Sequence, residues 1–232
     1  MGRPKHTATA AAATLTAVDL TNGTTTDPNA TFHADTTWGT TQRVKADTNH
    51  GTIGDTGMDG GMCLADIGNP TGKAGLRVML SVPTPPESNG SGADEGLCVV
   101  VAPSSAPGRN DGFKCGLYVE SADDSIKMID PTRLGSGGKS TVKLDDSADA
   151  PGPVTVQMSC YFASSMKLGK AAGYGSGDDA FDAGVISTDG DVAFTTTCWV
   201  GLGLMVEAAS PSAAQDWGSA IVVSYEWIER TS

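Results

Sequence analysis

Residues Val154, Val156, Met158, Cys160 and Phe162 alternate with Thr155, Gln157, Ser159 and Tyr161. An apolar side chain at every second position is what a strand with one buried face needs, because successive side chains point to opposite faces. The pattern recurs at the C-terminus, where Ile221, Val223, Tyr225 and Trp227 alternate with Val222, Ser224, Glu226 and Ile228. Both sets there are fairly apolar, so this strand is expected to be central and covered on each side. Residues 116–120 and 125–129 form a predicted hairpin around the loop Ser121-Ala122-Asp123-Asp124. Further strands are expected over 76–82, 97–102, 141–144, 185–188 and 192–207, the last bent at Gly201 and Gly203. Between them, 83–96, 103–112, 134–139, 145–153 and 169–182 are rich in Gly, Pro, Ser and Asp and are expected as loops. No stretch of ten or more residues combines helical periodicity with caps, and the chain's 30 glycines suit turns instead. The expected fold is all-β: a two-sheet antiparallel sandwich of the jelly-roll type.

At 232 residues one such domain is sufficient. The first thirty residues stand apart from it. Met1, Leu15, Val18 and Leu20 are their only large apolar side chains, and no aromatic precedes Phe32. So little apolar surface does not offset the roughly 1–2 kcal/mol per residue that ordering a backbone costs. The expectation is an extended arm over 1–30 that is held by a partner, and a sandwich over 31–232. Arg3 and Lys5 make the arm basic, with no acid before Asp19, and Leu15, Val18 and Leu20 supply its apolar contacts. Ala10–Ala13 is too weakly apolar for a secretory signal, and His6 stands where myristoylation needs Ser or Thr. No apolar run approaches the ~20 residues of a membrane helix. The chain is therefore expected to be soluble, unprocessed and away from membranes.

With Asp+Glu 27 against Lys+Arg 15, the net charge is −12, which disfavours direct nucleic-acid binding. Five cysteines, Cys63, Cys98, Cys115, Cys160 and Cys198, lie too far apart for zinc or C-x-x-C motifs. Three sit in apolar strands, and reduced core thiols are expected. His6, His33 and His50 are scattered and lack partners at metal-ligand spacing. There is no G-x-S-x-G elbow. Gly138-Lys139-Ser140 lacks the earlier glycine of a phosphate loop and runs into a strand. No cofactor and no catalytic residue is expected. Asp178, Asp179 and Asp182 share one loop and are weak calcium candidates. Trp38 and Tyr174, in polar, glycine-rich surroundings, are candidates for stacking on a glycan.

Two segments carry a family resemblance. Gly116-Leu117-Tyr118-Val119-Glu120 through Ser125-Ile126-Lys127-Met128 is one. Trp199-Val200-Gly201-Leu202-Gly203-Leu204-Met205-Val206, followed by Ala220 to Ile228, is the other. Together they resemble the concanavalin-A-like, laminin-G-like jelly-roll domains common in bacteriophage structural proteins. The resemblance implies a jelly roll in a virion, made in the host cytoplasm. With the basic arm, it gives the expectation of a non-enzymatic capsid decoration or cement protein. Its partners would be the major capsid protein or other virion subunits, with homo-oligomers expected. The alternative is a carbohydrate-binding, receptor-recognising module. A glycan-cleaving enzyme on the same fold is a third reading.

Overall fold

A computed structural model describes residues 16–18, 24–25, 62–86, 95–108, 110–120, 125–135, 139–145, 154–162, 167–168, 171–172, 174–175, 186–187, 192–206 and 221–229. They form strands: β1 (Thr16–Ala17), β2 (Thr24–Thr25), β3 (Met62–Gly68), β4 (Lys73–Val82), β5 (Glu95–Ala102), β6 (Phe113–Val119), β7 (Ile126–Arg133) and β8 (Lys139–Asp145). There follow β9 (Val154–Tyr161), β10 (Lys167–Leu168), β11 (Ala171–Ala172), β12 (Tyr174–Gly175), β13 (Ile186–Ser187), β14 (Val192–Ala193), β15 (Cys198–Val206) and β16 (Val222–Glu229). The main pairings are antiparallel, in a five-stranded sheet β1-β16-β4-β9-β12 and a seven-stranded sheet β2-β3-β15-β5-β6-β7-β8. Two two-stranded pairs, β10 with β14 and β11 with β13, complete the list. The chain passes between the main sheets from β1 to β2, β3 to β4, β4 to β5, β8 to β9, β12 to β15 and β15 to β16, as a two-sheet sandwich allows.

The core lies between the sheets. Leu76, Val78, Leu80, Val156, Met158 and Val223 of one sheet meet Leu97, Val99, Cys115, Leu117, Val200 and Leu202 of the other. These are the alternate residues seen in the sequence, now sharing one face. The seven-stranded sheet is buried on its second face too, by a cluster of Met62, Leu64, Cys98, Val100, Tyr118 and Ile129. That explains why β5 is apolar at every position from Leu97 to Ala102. Lys114 lies fully buried in the seven-stranded sheet, and its Nζ donates to the carbonyls of Leu134 (3.0 Å) and Arg133 (3.2 Å). All five cysteines are free and buried, as expected for core thiols.

The hairpin of β6 and β7 closes where expected, with Glu120 N donating to Ser125 O at 2.9 Å. Two expectations need correction. First, the strand expected over 192–207 is two strands, β14 and β15, broken at Phe194–Thr197 and not at its glycines. Gly201 is required for close approach instead: a Cβ there would lie 1.9 Å from the Cys63 carbonyl oxygen. Second, the segment 169–182, expected as loop, contributes β11 and β12. Within the expected arm, residues 16–18 and 24–25 are described. β1 pairs with β16 at the edge of one sheet, and β2 pairs with β3 at the edge of the other. β1 and β2 together are called the strap. Val18 N donates to Val223 O at 2.9 Å, and its side chain, 2% exposed, joins the inter-sheet core. Val18, a partner-contact candidate from the sequence, packs here beside Val223. Arg3, Lys5, Leu15 and Leu20 lie outside the described residues.

Candidate functional site

The outer face of the five-stranded sheet is unlike the other sheet surfaces. Register places three rows across β16, β4 and β9 there: Val222–Ser81–Thr155, Ser224–Met79–Gln157 and Glu226–Arg77–Ser159. These positions alternate with core residues, so the same count that buries Leu76, Val78 and Leu80 turns Arg77, Met79 and Ser81 outward. Strand and residue spacing make the grid about 10 Å wide and 14 Å long. At its flanks, register sets Ala17 beside Ser224 and Gly175 beside Thr155. Those are the smallest residues available for the margins.

The grid is polar and tightly drawn. Thr155 Oγ1 donates to Ser81 Oγ at 3.3 Å, and Gln157 Nε2 donates to Ser159 Oγ at 3.0 Å. Arg77 forms an ion pair with Glu226; the Arg77 side chain is 40% exposed and that of Glu226 8%. Below the grid, the Cys115 thiol donates to the Gln157 carbonyl oxygen at 3.8 Å, tying β9 to the opposite sheet. Half-buried Met79 is the apolar centre of the grid.

Three buried atoms on this face have no hydrogen-bond partner among the described residues: the donor Nε of Arg77, the acceptor Oε1 of Gln157, and Oε2 of Glu226, which faces Arg77 in the ion pair. Leaving such an atom unbonded costs about 1–3 kcal/mol. Arg77 and Gln157 are diagonal neighbours, since Arg77 pairs with Ser159 and Met79 with Gln157. Diagonal neighbours on adjacent strands lie about 7–8 Å apart at most. One group asks for an acceptor, the other for a donor. A hydroxyl is both. Met79 adds an apolar surface between them. Gln157, Ser159, Ser224 and Glu226 are buried, whereas Arg77, Met79, Ser81 and Thr155 keep partial exposure, so a hydroxyl-bearing ligand would meet the latter four first.

Among the residues singled out from sequence, Tyr174 is in β12 and pairs with Val156, a core position. Trp38 lies outside the described residues, as do Asp178, Asp179, Asp182 and all three histidines. Of the sequence-derived candidates among the described residues, Val18 and Tyr174, neither belongs to the three rows of the grid. Its members were visible in sequence only as the polar alternates of three separate strands. No group of three or more His, Cys, Asp or Glu able to hold a metal occurs among the described residues. The buried thiols are unsuited to chemistry: desolvation pushes Cys98 up to about 12, with Lys114 opposing, and desolvation also raises Cys115, Cys160 and Cys198 well above their ordinary value.

No family model matches the chain, and no curated protein matches it. Solved structures do. A CBM2 module of the evolved Dit of Lactobacillus casei BL23 phage J-1 is 12% identical, covers 81% of this chain and 78% of its own, and has a TM-score of 0.43. Arcelin-5, a lectin-like defense protein from Phaseolus vulgaris, is 10% identical over 87% of this chain and 91% of its own, TM-score 0.43. The alginate lyase PA1167 from Pseudomonas aeruginosa is 10% identical over 78% of this chain and 82% of its own, TM-score 0.39. All three TM-scores lie below 0.5, so the fold rests on the strand pairing and these likenesses say nothing of what the chain binds.

Proposed function

We propose that the chain is a non-enzymatic binding module whose five-stranded outer face takes a neutral, hydroxyl-rich ligand, a glycan first of all. The observation that carries this reading is the unbonded pair, Arg77 Nε and Gln157 Oε1, on either side of Met79. The charge of −12 disfavours polyanionic sugars. The one cation of the grid is already neutralised by Glu226. Binding, and not cleavage, is the reading because Glu226 is engaged with Arg77 and no second acid stands in the three rows.

The test is a glycan array followed by calorimetry on the full chain, with and without calcium. A neutral oligosaccharide is expected to bind. Gln157→Ala should weaken it by about 2–10-fold, the worth of one hydrogen bond, and Arg77→Ala by about tenfold or more. Hits that ignore both substitutions, or an array without hits, would refute the site. Appearance of new sugar ends during incubation would refute the non-enzymatic reading.

A second reading keeps the virion setting: a capsid decoration protein, gripping the major capsid protein or other virion subunits through Arg3, Lys5 and Leu15. What favours it is the strap, because β1 on β16 fixes where residues 1–15 leave the sandwich edge. Removing 1–15 should then abolish incorporation into particles while the domain stays folded. Wild-type occupancy of the truncated chain would end that reading.

A further inference from the structure

Gln157 is more closely constrained than a general hydroxyl site requires. Its Nε2 already donates to Ser159 Oγ at 3.0 Å, which leaves Oε1 as a pure acceptor on a residue only 9% exposed. Arg77 has its Nη2 engaged by Glu226, which leaves Nε as a pure donor. Nε and Oε1 each lie four bonds from their Cα, so side chains standing off the sheet carry them to the same height. Their positions are diagonal neighbours on β4 and β9, about 7–8 Å apart between Cα atoms. A single hydroxyl, with bonds of ~2.8 Å on either side of one oxygen, bridges no more than about 5–6 Å. A trans secondary amide bridges about 7–8 Å, because its N–H and C=O point in opposite directions from atoms ~2.3 Å apart. An amide matches the pair in both polarity and length.

We propose, resting on the glycan reading above, that the site selects an N-acetylated amino sugar. The acetamido N–H donates to Gln157 Oε1, and the acetamido carbonyl oxygen accepts from Arg77 Nε. The methyl group then lies against Met79, which pairs with Gln157 and stands two residues from Arg77. Both polar atoms are buried, and Met79 is what admits the group. Its unbranched side chain has three rotatable bonds, so the thioether swings aside and closes again over the methyl. A peptide offers the same amide but repeats it every ~3.3 Å along an extended chain. The three rows hold one such unbonded donor and acceptor among the described residues. A sugar brings one amide, together with ring hydroxyls suited to the partly exposed Ser81 and Thr155. The acetamido group is uncharged, so Arg77 keeps its ion pair with Glu226.

Calorimetry on the full chain tests this with sugars that differ only in acetamido against hydroxyl at C2. Di-N-acetylchitobiose is set against cellobiose, and N-acetylgalactosamine against galactose. In at least one pair the acetamido sugar is expected to bind about tenfold or more tightly. Gln157→Ala and Met79→Ala, each checked by a cooperative melt, should cut that preference to about twofold or less. Ser81→Ala should weaken both members of a pair alike and leave the preference intact. Equal affinity within both pairs, with Gln157→Ala weakening all four sugars, overturns the acetamido selection and leaves the glycan site standing. A preference that survives both Gln157→Ala and Met79→Ala also overturns it. Silence towards these sugars and towards every other neutral glycan overturns both readings. Tighter binding of N-acetylglycine N-methylamide than of either acetamido sugar assigns the face to peptides and overturns the proposal.

Discussion

Gly201 has no freedom to carry a side chain. A Cβ at Gly201 would meet backbone, at 1.9 Å from Cys63 O, and at Gly116 it would stand 2.1 Å from Leu97 O. Neither obstacle can rotate away. Gly201→Ala is expected to cost at least about 3 kcal/mol, the upper range for overpacking, or to prevent folding. Gly68 is the comparison: it has φ +101° but open space, so Gly68→Ala meets only backbone strain, roughly 1–2 kcal/mol. Urea midpoints of the two variants check the difference. The thiols make a second prediction at this scale. Burial raises Cys98, Cys115, Cys160 and Cys198 above the ordinary 9.0. Unfolding restores the lower value, so stability is intact below about pH 9 and falls as pH rises toward 12 and beyond. Each such thiol adds a slope of up to ~1.4 kcal/mol per pH unit. Urea midpoints should be flat near neutrality and drop above pH 9, and Cys98→Ala should make the drop shallower.

Single strands were the most legible level of the fold. β9 and β16 appear in the sequence within a residue of their observed ends, because their alternation is long and punctuated. β3 was not read, since Met62-Cys63-Leu64 is short and follows a glycine-rich stretch. β1 and β2 were not legible at all: two threonine-rich dipeptides acquire strand geometry only from the edges they meet. The site was half legible. Gln157 and Ser159 are visible as the polar side of β9, but bringing them beside Arg77 and Glu226 takes a register that only the packed core fixes. The strap's share in the fold is measurable. Removing residues 1–15 should leave the melting temperature nearly unchanged. Removing 1–25 takes out Val18 and both edge strands, and should lower stability by about 2 kcal/mol or more, one buried valine accounting for much of it.

The molecule as a whole is asymmetric about its core. The seven-stranded sheet is apolar on both faces, whereas the five-stranded sheet sets its polar grid outside. Because the grid's only ion pair is internal, glycan binding should change less than about twofold between 0.05 and 1 M salt, a range over which exposed charge attraction is screened out. Titration calorimetry across that range tests it; a steep loss with salt would mean that the ligand is held by charge.

The bond from Val18 to Val223 also sets a clock on biosynthesis. Val18 leaves the ribosome some ~200 residues before Val223, and its slot is finished only when Val223 follows, roughly 10–40 s later at ordinary translation rates. For that interval the first strand of every nascent chain waits for the last.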